Sequence, residues 1–220
     1  MEALRINDYA TSQLDDVIVV RRVIAGEKEL FEILLRRYNQ TLYRVIRSYL
    51  KDQDEIQDAM QNAYLKAFDK LYQFQGNSAF STWLIRIGIN EALLRLKTMK
   101  KEKITIIDTA SEEIINQIPD KQMNPEKAII RRESQQILEQ AIDSLPEKYR
   151  VVYVLKEMEG LSNAQLTESL GLTDSNIKVR LHRAKTLLKE SLYKLSTPAE
   201  VFEFGNSRCD AIVAYIMKTI

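Results

Sequence analysis

The chain is poor in the residues that staple, break or stiffen a fold. A single cysteine, Cys209, stands among 220 residues. That excludes an internal disulfide and fits a reducing cytoplasm. Six glycines and four prolines leave few points at which helices must break. The one histidine is His182. With no phosphate-binding glycine loop, no metal-ligand cluster and no nucleophile–base pair, neither an enzyme nor a cofactor is expected. No apolar run approaches the ~20 residues of a membrane span. Val17–Val20 is followed at once by Arg21 and Arg22, so there is no signal-peptide core and a cytoplasmic location is expected. Finally, 32 basic against 31 acidic residues leave a net charge of only +1. The chain is therefore not a general polyanion binder.

Its basic charge is local instead. Six cations lie between Arg86 and Lys103 (Arg86, Arg95, Lys97, Lys100, Lys101, Lys103) against Glu91 and Glu102. Six more lie between Asp174 and Lys194 (Lys178, Arg180, Arg183, Lys185, Lys189, Lys194) against Asp174 and Glu190. Two separate basic patches suggest two contacts with nucleic acid.

The second patch falls in a helix-turn-helix pattern over Leu161–Leu195. Ser162 with Gln165 is a capping box, which satisfies orphan N–H groups at a helix start. Gly171-Leu172-Thr173 reads as the turn, glycine taking a positive φ and Thr173 capping the next helix. Ile177, Leu181, Ala184, Leu188 and Leu192 recur at helical spacing and mark the buried side. On the other side, Ser175, Asn176, Lys178, Val179 and His182 near the helix front are candidates for base edges. Arg183, Lys185 and Lys189 are better placed for phosphates, which position a protein without reading sequence.

Apolar residues repeat at three and four almost throughout, which predicts helices at about 14–25, 27–50, 53–72, 79–101, 126–144, 147–159, 163–170 and 174–195. Only Ile104–Ile107 keeps a strand-like pattern. Between Lys103 and Glu126 periodicity fades, Pro119 and Pro125 appear, and acids dominate, which reads as a linker. The expected fold is all-α: two helical domains joined by a flexible acidic linker, the C-terminal one a helix-turn-helix. The boundaries are 14–103, linker 104–125, 126–196, and a C-terminal extension 197–220. Val201, Phe202, Phe204 and Ile212–Met217 make that extension apolar, and it is expected to pack on the C-terminal domain or a partner.

In the N-terminal domain the helix from Gln53 carries an apolar stripe at Ile56, Met60, Ala63, Ala67 and Leu71. A different face presents Asp54, Asp58, Gln61 and Leu65, which is either plainly solvated or suited to a protein partner. The Phe74–Phe80 loop opens a helix on which Arg86, Asn90, Lys97 and Lys101 share a face. Rings beside cations suit unpaired bases, with stacking worth ~1–3 kcal/mol per base. Trp83 reads as core, whereas Asn77, Ser78 and Asn90 read as nucleic-acid contacts, and Ser78 is also a candidate cap.

Four strings now carry a resemblance. They are Asp58-Ala59-Met60-Gln61-Asn62-Ala63-Tyr64-Leu65-Lys66-Ala67-Phe68, Phe80-Ser81-Thr82-Trp83-Leu84-Ile85-Arg86-Ile87-Gly88-Ile89-Asn90, and Leu145-Pro146-Glu147-Lys148-Tyr149-Arg150. The last runs from Glu159-Gly160-Leu161-Ser162 to Ile177-Lys178-Val179-Arg180-Leu181-His182-Arg183-Ala184-Lys185. In this order and spacing, over about residues 14–195, the chain resembles the extracytoplasmic-function (ECF) group of bacterial sigma factors, in the sigma-70 family.

The resemblance implies a non-catalytic initiation subunit that binds core RNA polymerase, directs it to promoters and assists their opening. Region 2 would meet the polymerase through Asp54, Asp58, Gln61 and Leu65. It would hold the −10 element as a single strand through Asn77, Ser78, Phe80, Arg86, Asn90, Lys97 and Lys101. Region 4 would read the −35 duplex through Ser175, Asn176, Lys178, Val179, His182, Arg183 and Lys185. The acidic linker would run through the polymerase, and an anti-sigma factor is a further possible partner. The chain departs from the family pattern at Asn62, where an acid is usual. It departs again at Ser175-Asn176 and Val179, where Gly-Thr and Ser are common, so its −35 preference is its own. A stand-alone helix-turn-helix regulator is the alternative, but it explains the second basic patch poorly and the acidic face of the third helix not at all.

Overall fold

The computed structural model describes residues 14–105 and 125–196 and, singly, residue 217; the side chains of 101–131 and 196 are not described. Residues 106–124 of the expected linker and, apart from residue 217, the expected C-terminal extension with Cys209 lie outside the described residues. Those that are described form eight α-helices, with no strand among them. They are α1 (Asp16–Ile24), α2 (Phe31–Arg47), α3 (Gln53–Asp69), α4 (Phe80–Thr105), α5 (Pro125–Asp143), α6 (Glu147–Tyr153), α7 (Asn163–Leu170) and α8 (Asp174–Ser196). Among the described residues no helix is long and apolar enough to cross a membrane.

Local chemistry explains where the helices start and where they differ from the sequence pattern. The Asp15 and Asp52 carboxylates cap α1 and α3, accepting from Val17 N–H at 2.8 Å and Glu55 N–H at 3.0 Å. The expected helix 27–50 is trimmed at both ends. A 3₁₀ turn at Lys28–Leu30 precedes α2, and past Arg47 the Ser48 hydroxyl donates to the Val45 carbonyl at 2.6 Å, competing with the helix ladder. Helix α3 ends at Asp69 and passes into a 3₁₀ turn at Leu71–Gln73. Helix α4 runs on to Thr105, so Ile104 is helical and not part of a strand. Its first hydrogen bond runs from Trp83 N–H to the Ala79 carbonyl, which gives Ala79, rather than Ser78, the cap position. The expected helix 147–159 changes register: after Tyr153, residues Val154–Met158 form a π turn, closed by Glu159 N–H donating to the Val154 carbonyl at 3.1 Å.

Helices α1–α4 enclose one core. Leu34, Leu42, Ile46, Leu50, Ile56, Phe80 and Leu84 are fully buried there. Ala59, Ala63 and Ala67 give α3 a thin buried side, against which α4 can approach. Gly88 does the same between α4 and α2: a Cβ there would lie 2.5 Å from Leu42 Cδ1. Helices α5, α6 and α8 share a second core of Ala141, Ile142, Leu145, Val154, Ala184 and Leu188.

The two bundles do not stand apart. Val45, Ile85 and Ile89 of the first pack in one cluster with Val151, Val152, Leu155, Leu161, Leu166 and Ile177 of the second. Polar bonds frame this joint core. The Glu159 carboxylate, 7% exposed, accepts from Arg44 Nη1 at 2.9 Å and from Thr41 Oγ1 at 2.6 Å. Arg47 forks onto Asp143 at 2.8 and 2.9 Å. The buried Arg150 guanidinium donates to the Asp143 and Leu145 carbonyls at 3.1 and 2.8 Å, and to the Ser48 carbonyl across the boundary at 3.3 Å. It thus places a cation where α2 and α5 both end, as the helix dipole favours. Burial pushes its pKa down, but arginine remains charged in proteins.

The glycine contact yields the first prediction. Gly88→Ala forces Leu42 to move within a filled core and should destabilise the fold by about 1–3 kcal/mol, seen as a lower urea midpoint. An unchanged midpoint would show that the α2–α4 approach is not tight.

Candidate nucleic-acid interface

The helix-turn-helix is built as its residues dictate. Gln165 N–H donates to Ser162 Oγ at 3.2 Å and Ser162 N–H donates to Gln165 Oε1 at 2.8 Å, completing the capping box of α7. Gly171, at φ +64°, ends α7 in the left-handed region that glycine adopts freely. Asn176 N–H donates to Thr173 Oγ1 at 3.3 Å, so Thr173 caps α8. Leu166 and Ile177, both fully buried, pin α7 against α8. At the start of α8, Asp174 accepts from Asn163 Nδ2 at 2.7 Å and pairs with Lys178 Nζ at 2.7 Å. The hydrogen bonds from Lys178 and Asn163 hold the Asp174 carboxyl below the usual carboxylate range.

All seven residues expected to meet duplex DNA are exposed: Ser175, Asn176, Lys178, Val179, His182, Arg183 and Lys185. They are not equally available. Arg180 Nε donates to Asn176 Oδ1 at 2.8 Å, which fixes that amide's orientation. Lys185 Nζ turns back onto Glu157 at 2.9 Å, so contact with a phosphate would have to exchange this surface pair. Arg180 and Asp174 were counted in the basic patch, but their part in positioning two of the expected readers was not read from the sequence. The i, i+4 spacings 176–180 and 174–178 were the signals for them.

The second surface lies on the α3–α4 loop and α4. Arg86, Asn90 and Lys97 are exposed and fall on one side of α4 at helical spacing; the Lys101 side chain lies outside the described residues. Arg95, near them in sequence, instead pairs with Glu55 of α3. Asn77 is exposed, with its Nδ2 donating to Gln75 Oε1 at 3.1 Å, and Ser78 is half-buried. Phe80 requires a correction. It is only 2% exposed and its ring packs within 5.5–5.6 Å of Tyr38, Phe74 and Trp83. It braces the loop from beneath and has no face to offer a base. Tyr72, 70% exposed in the 3₁₀ turn before the loop, is an exposed ring that sequence reasoning passed over.

The third surface is on α3. Asp54, Asp58, Gln61 and Leu65 are all exposed, Leu65 to 64%, on the side away from buried Ile56, Ala59, Ala63 and Ala67. Two carboxylates, an amide and an unburied leucine repel a phosphate backbone and suit a protein surface. The closed arrangement brings the first two surfaces onto neighbouring elements. Ile85 and Ile89, beside Arg86 and Asn90 on α4, share the joint core with Leu166 of α7.

Comparison with known proteins finds a family match in each of the two bundles. Residues 34–102 match the family model for sigma-70 region 2, and residues 135–188 match that for sigma-70 region 4. The chain is 32% identical to the RNA polymerase sigma-H factor of Pseudomonas aeruginosa, over 84% of this chain and 97% of that one. It is 30% identical to the ECF RNA polymerase sigma factor SigW of Bacillus subtilis, over 80% and 96%. Among solved structures, the sigma factor RpoE in complex with the anti-sigma factor NepR from Bartonella quintana shares the fold with a TM-score of 0.62 at 22% identity, over 76% of this chain and 98% of that one. CnrH in complex with the cytosolic domain of CnrY gives 0.57 at 20% identity, over 83% and 99%.

The separation of the surfaces gives a second prediction. Lys178→Ala and His182→Ala should each weaken duplex binding by about fivefold to tenfold while leaving single-strand binding unchanged, as fluorescence anisotropy on the two kinds of oligonucleotide would read. Equal loss on both would mean that one surface serves both ligands.

Proposed function

The chain belongs to the extracytoplasmic-function group of sigma factors in the sigma-70 family, and we propose that it reads a promoter at two points with the two surfaces described above. Its function is that of such a factor: it directs RNA polymerase to promoters. Sigma factors are not enzymes, and each step in this reading is one of binding. The observation that carries the reading is the order of parts: an exposed basic recognition helix on one bundle and an amide-and-cation surface on the other, each within its own sigma region.

In this reading α8 enters the major groove of the −35 element. Its N-terminal residues meet base edges and Arg183 and Lys185 meet phosphates. The −10 element is held as a separated strand, with Arg86, Lys97 and Lys101 on its phosphates and Asn77, Ser78 and Asn90 against bases. With Phe80 committed to the core, its part is to hold the Phe74–Ala79 loop in shape. The α3 surface of Asp54, Asp58, Gln61 and Leu65 docks on core polymerase. All of this takes place in the cytoplasm, where polymerase works. An anti-sigma factor that binds the closed form is a further partner in this reading, as the sigma factor RpoE was captured with the anti-sigma factor NepR.

Distance imposes a requirement. Elements named −35 and −10 lie about 25 base pairs apart, roughly 85 Å at 3.4 Å per pair. Residues 106–124 could reach about 65 Å if extended. Two bundles in contact cannot occupy both elements, so the joint core must separate before the promoter is held at both ends. Core polymerase opens the chain by binding the open form better than the closed one.

Purified chain added to core polymerase and genomic templates should produce new, specific transcription starts. If no start appears beyond those of core enzyme alone, the reading fails. Asn90→Ala should slow open-complex formation about tenfold while polymerase affinity stays constant; an unchanged opening rate would remove Asn90 from the strand-holding surface.

A further inference from the structure

An apolar side chain occupies the middle of the α8 recognition surface. Val179 is 65% exposed, and at 3.6 residues per turn it points roughly 180° away from Leu188, which is buried in the second core. Around it are Ser175 and Asn176 one turn before, and His182 and Arg183 one turn after. Lys178 and Lys185 border one side of the strip, Asn176 and Arg183 the other. A lone exposed valine is unremarkable on most surfaces. Here it takes the place of maximum projection, where a polar or basic residue would gain most from DNA.

Valine has nothing to give a phosphate. In the major groove only thymine presents an apolar group, its C5 methyl. Two neighbours are oriented by other side chains in the free chain. Asn176 Oδ1 accepts from Arg180 and Lys178 Nζ is paired with Asp174. We propose that Val179 is a specificity-determining residue that selects thymine at one position of the duplex element by covering its methyl group. This rests on the reading that α8 lies in the major groove.

The test uses the full chain with core polymerase, first selecting preferred upstream sequences from a library randomised across the −35 element. Each selected thymine is then replaced by deoxyuridine, which removes the methyl and leaves every hydrogen-bonding group. At one position the wild-type complex should lose about fourfold in affinity, the worth of one buried methyl. Val179→Ser, at an exposed site that folding does not depend on, should abolish that loss and the thymine preference there, with the other positions unchanged. The proposal is overturned if no thymine is selected, or if deoxyuridine costs the wild type and Val179→Ser complexes the same. Lys178→Ala and Arg183→Ala separate this from the parent reading. If they weaken duplex binding while Val179→Ser leaves the deoxyuridine effect intact, only the role of Val179 falls. If none of the three alters duplex binding, α8 is not the groove-reading helix.

Discussion

One buried guanidinium holds the ends of two helices that belong to different bundles. Arg150 bonds the carbonyls at the end of α5 and, through Ser48, the carbonyl just past the end of α2. Both helix ends carry unsatisfied carbonyls and partial negative charge, and one planar fork of donors answers both. Arg47 repeats the link from the other direction by pairing with Asp143. Between these bonds lies an apolar core shared by Val45, Ile85 and Ile89 with Val151, Val152 and Leu155. The closed form is therefore specific: it has a core, a frame of polar bonds and a fixed register.

In the proposed function the closed form is one of two states. Opening exposes the joint core, at about 1.5–3 kcal/mol for each large side chain fully uncovered, and strips the Glu159 carboxylate of Arg44 and Thr41. A partner that favours the open form must exceed this difference. The recognition residues of α8 stay exposed in the closed form, so closure works through distance and not through concealment. In the proposed reading each surface can meet DNA separately, but the two cannot reach their elements together. The π turn at Val154–Met158 contributes to this arrangement, because Glu159 follows directly on its shifted register.

Much of this was legible in the sequence, and the exceptions share a cause. The helix-turn-helix announced itself because its signals are local: Ser162 and Gln165 three apart, Gly171 at a helix end, Thr173 before the next. The acidic-and-amide side of α3 was legible because its apolar stripe fixes what must face outward. Phe80 was misplaced because an aromatic in a ring-rich loop serves a core or a base equally well on spacing alone. Only the positions of Tyr38, Phe74 and Trp83 decide between them. The partners of Arg44, Arg47 and Arg150 lie up to 115 residues away along the chain, or are carbonyls at helix ends. No pattern in a helical sequence points to either.

In the proposed reading, a chain closed by this interface must open to hold a promoter at both ends. The most direct measurement is the distance between labels at Gln57 on α3 and Glu190 on α8, both exposed, in a Cys209→Ser background. It is read by spin-label or fluorescence methods in the isolated chain and again with core polymerase and promoter DNA. A single short distance in isolation that lengthens by tens of ångströms in the promoter complex is the predicted result. The same distance in both states, or an isolated chain already extended, would contradict it.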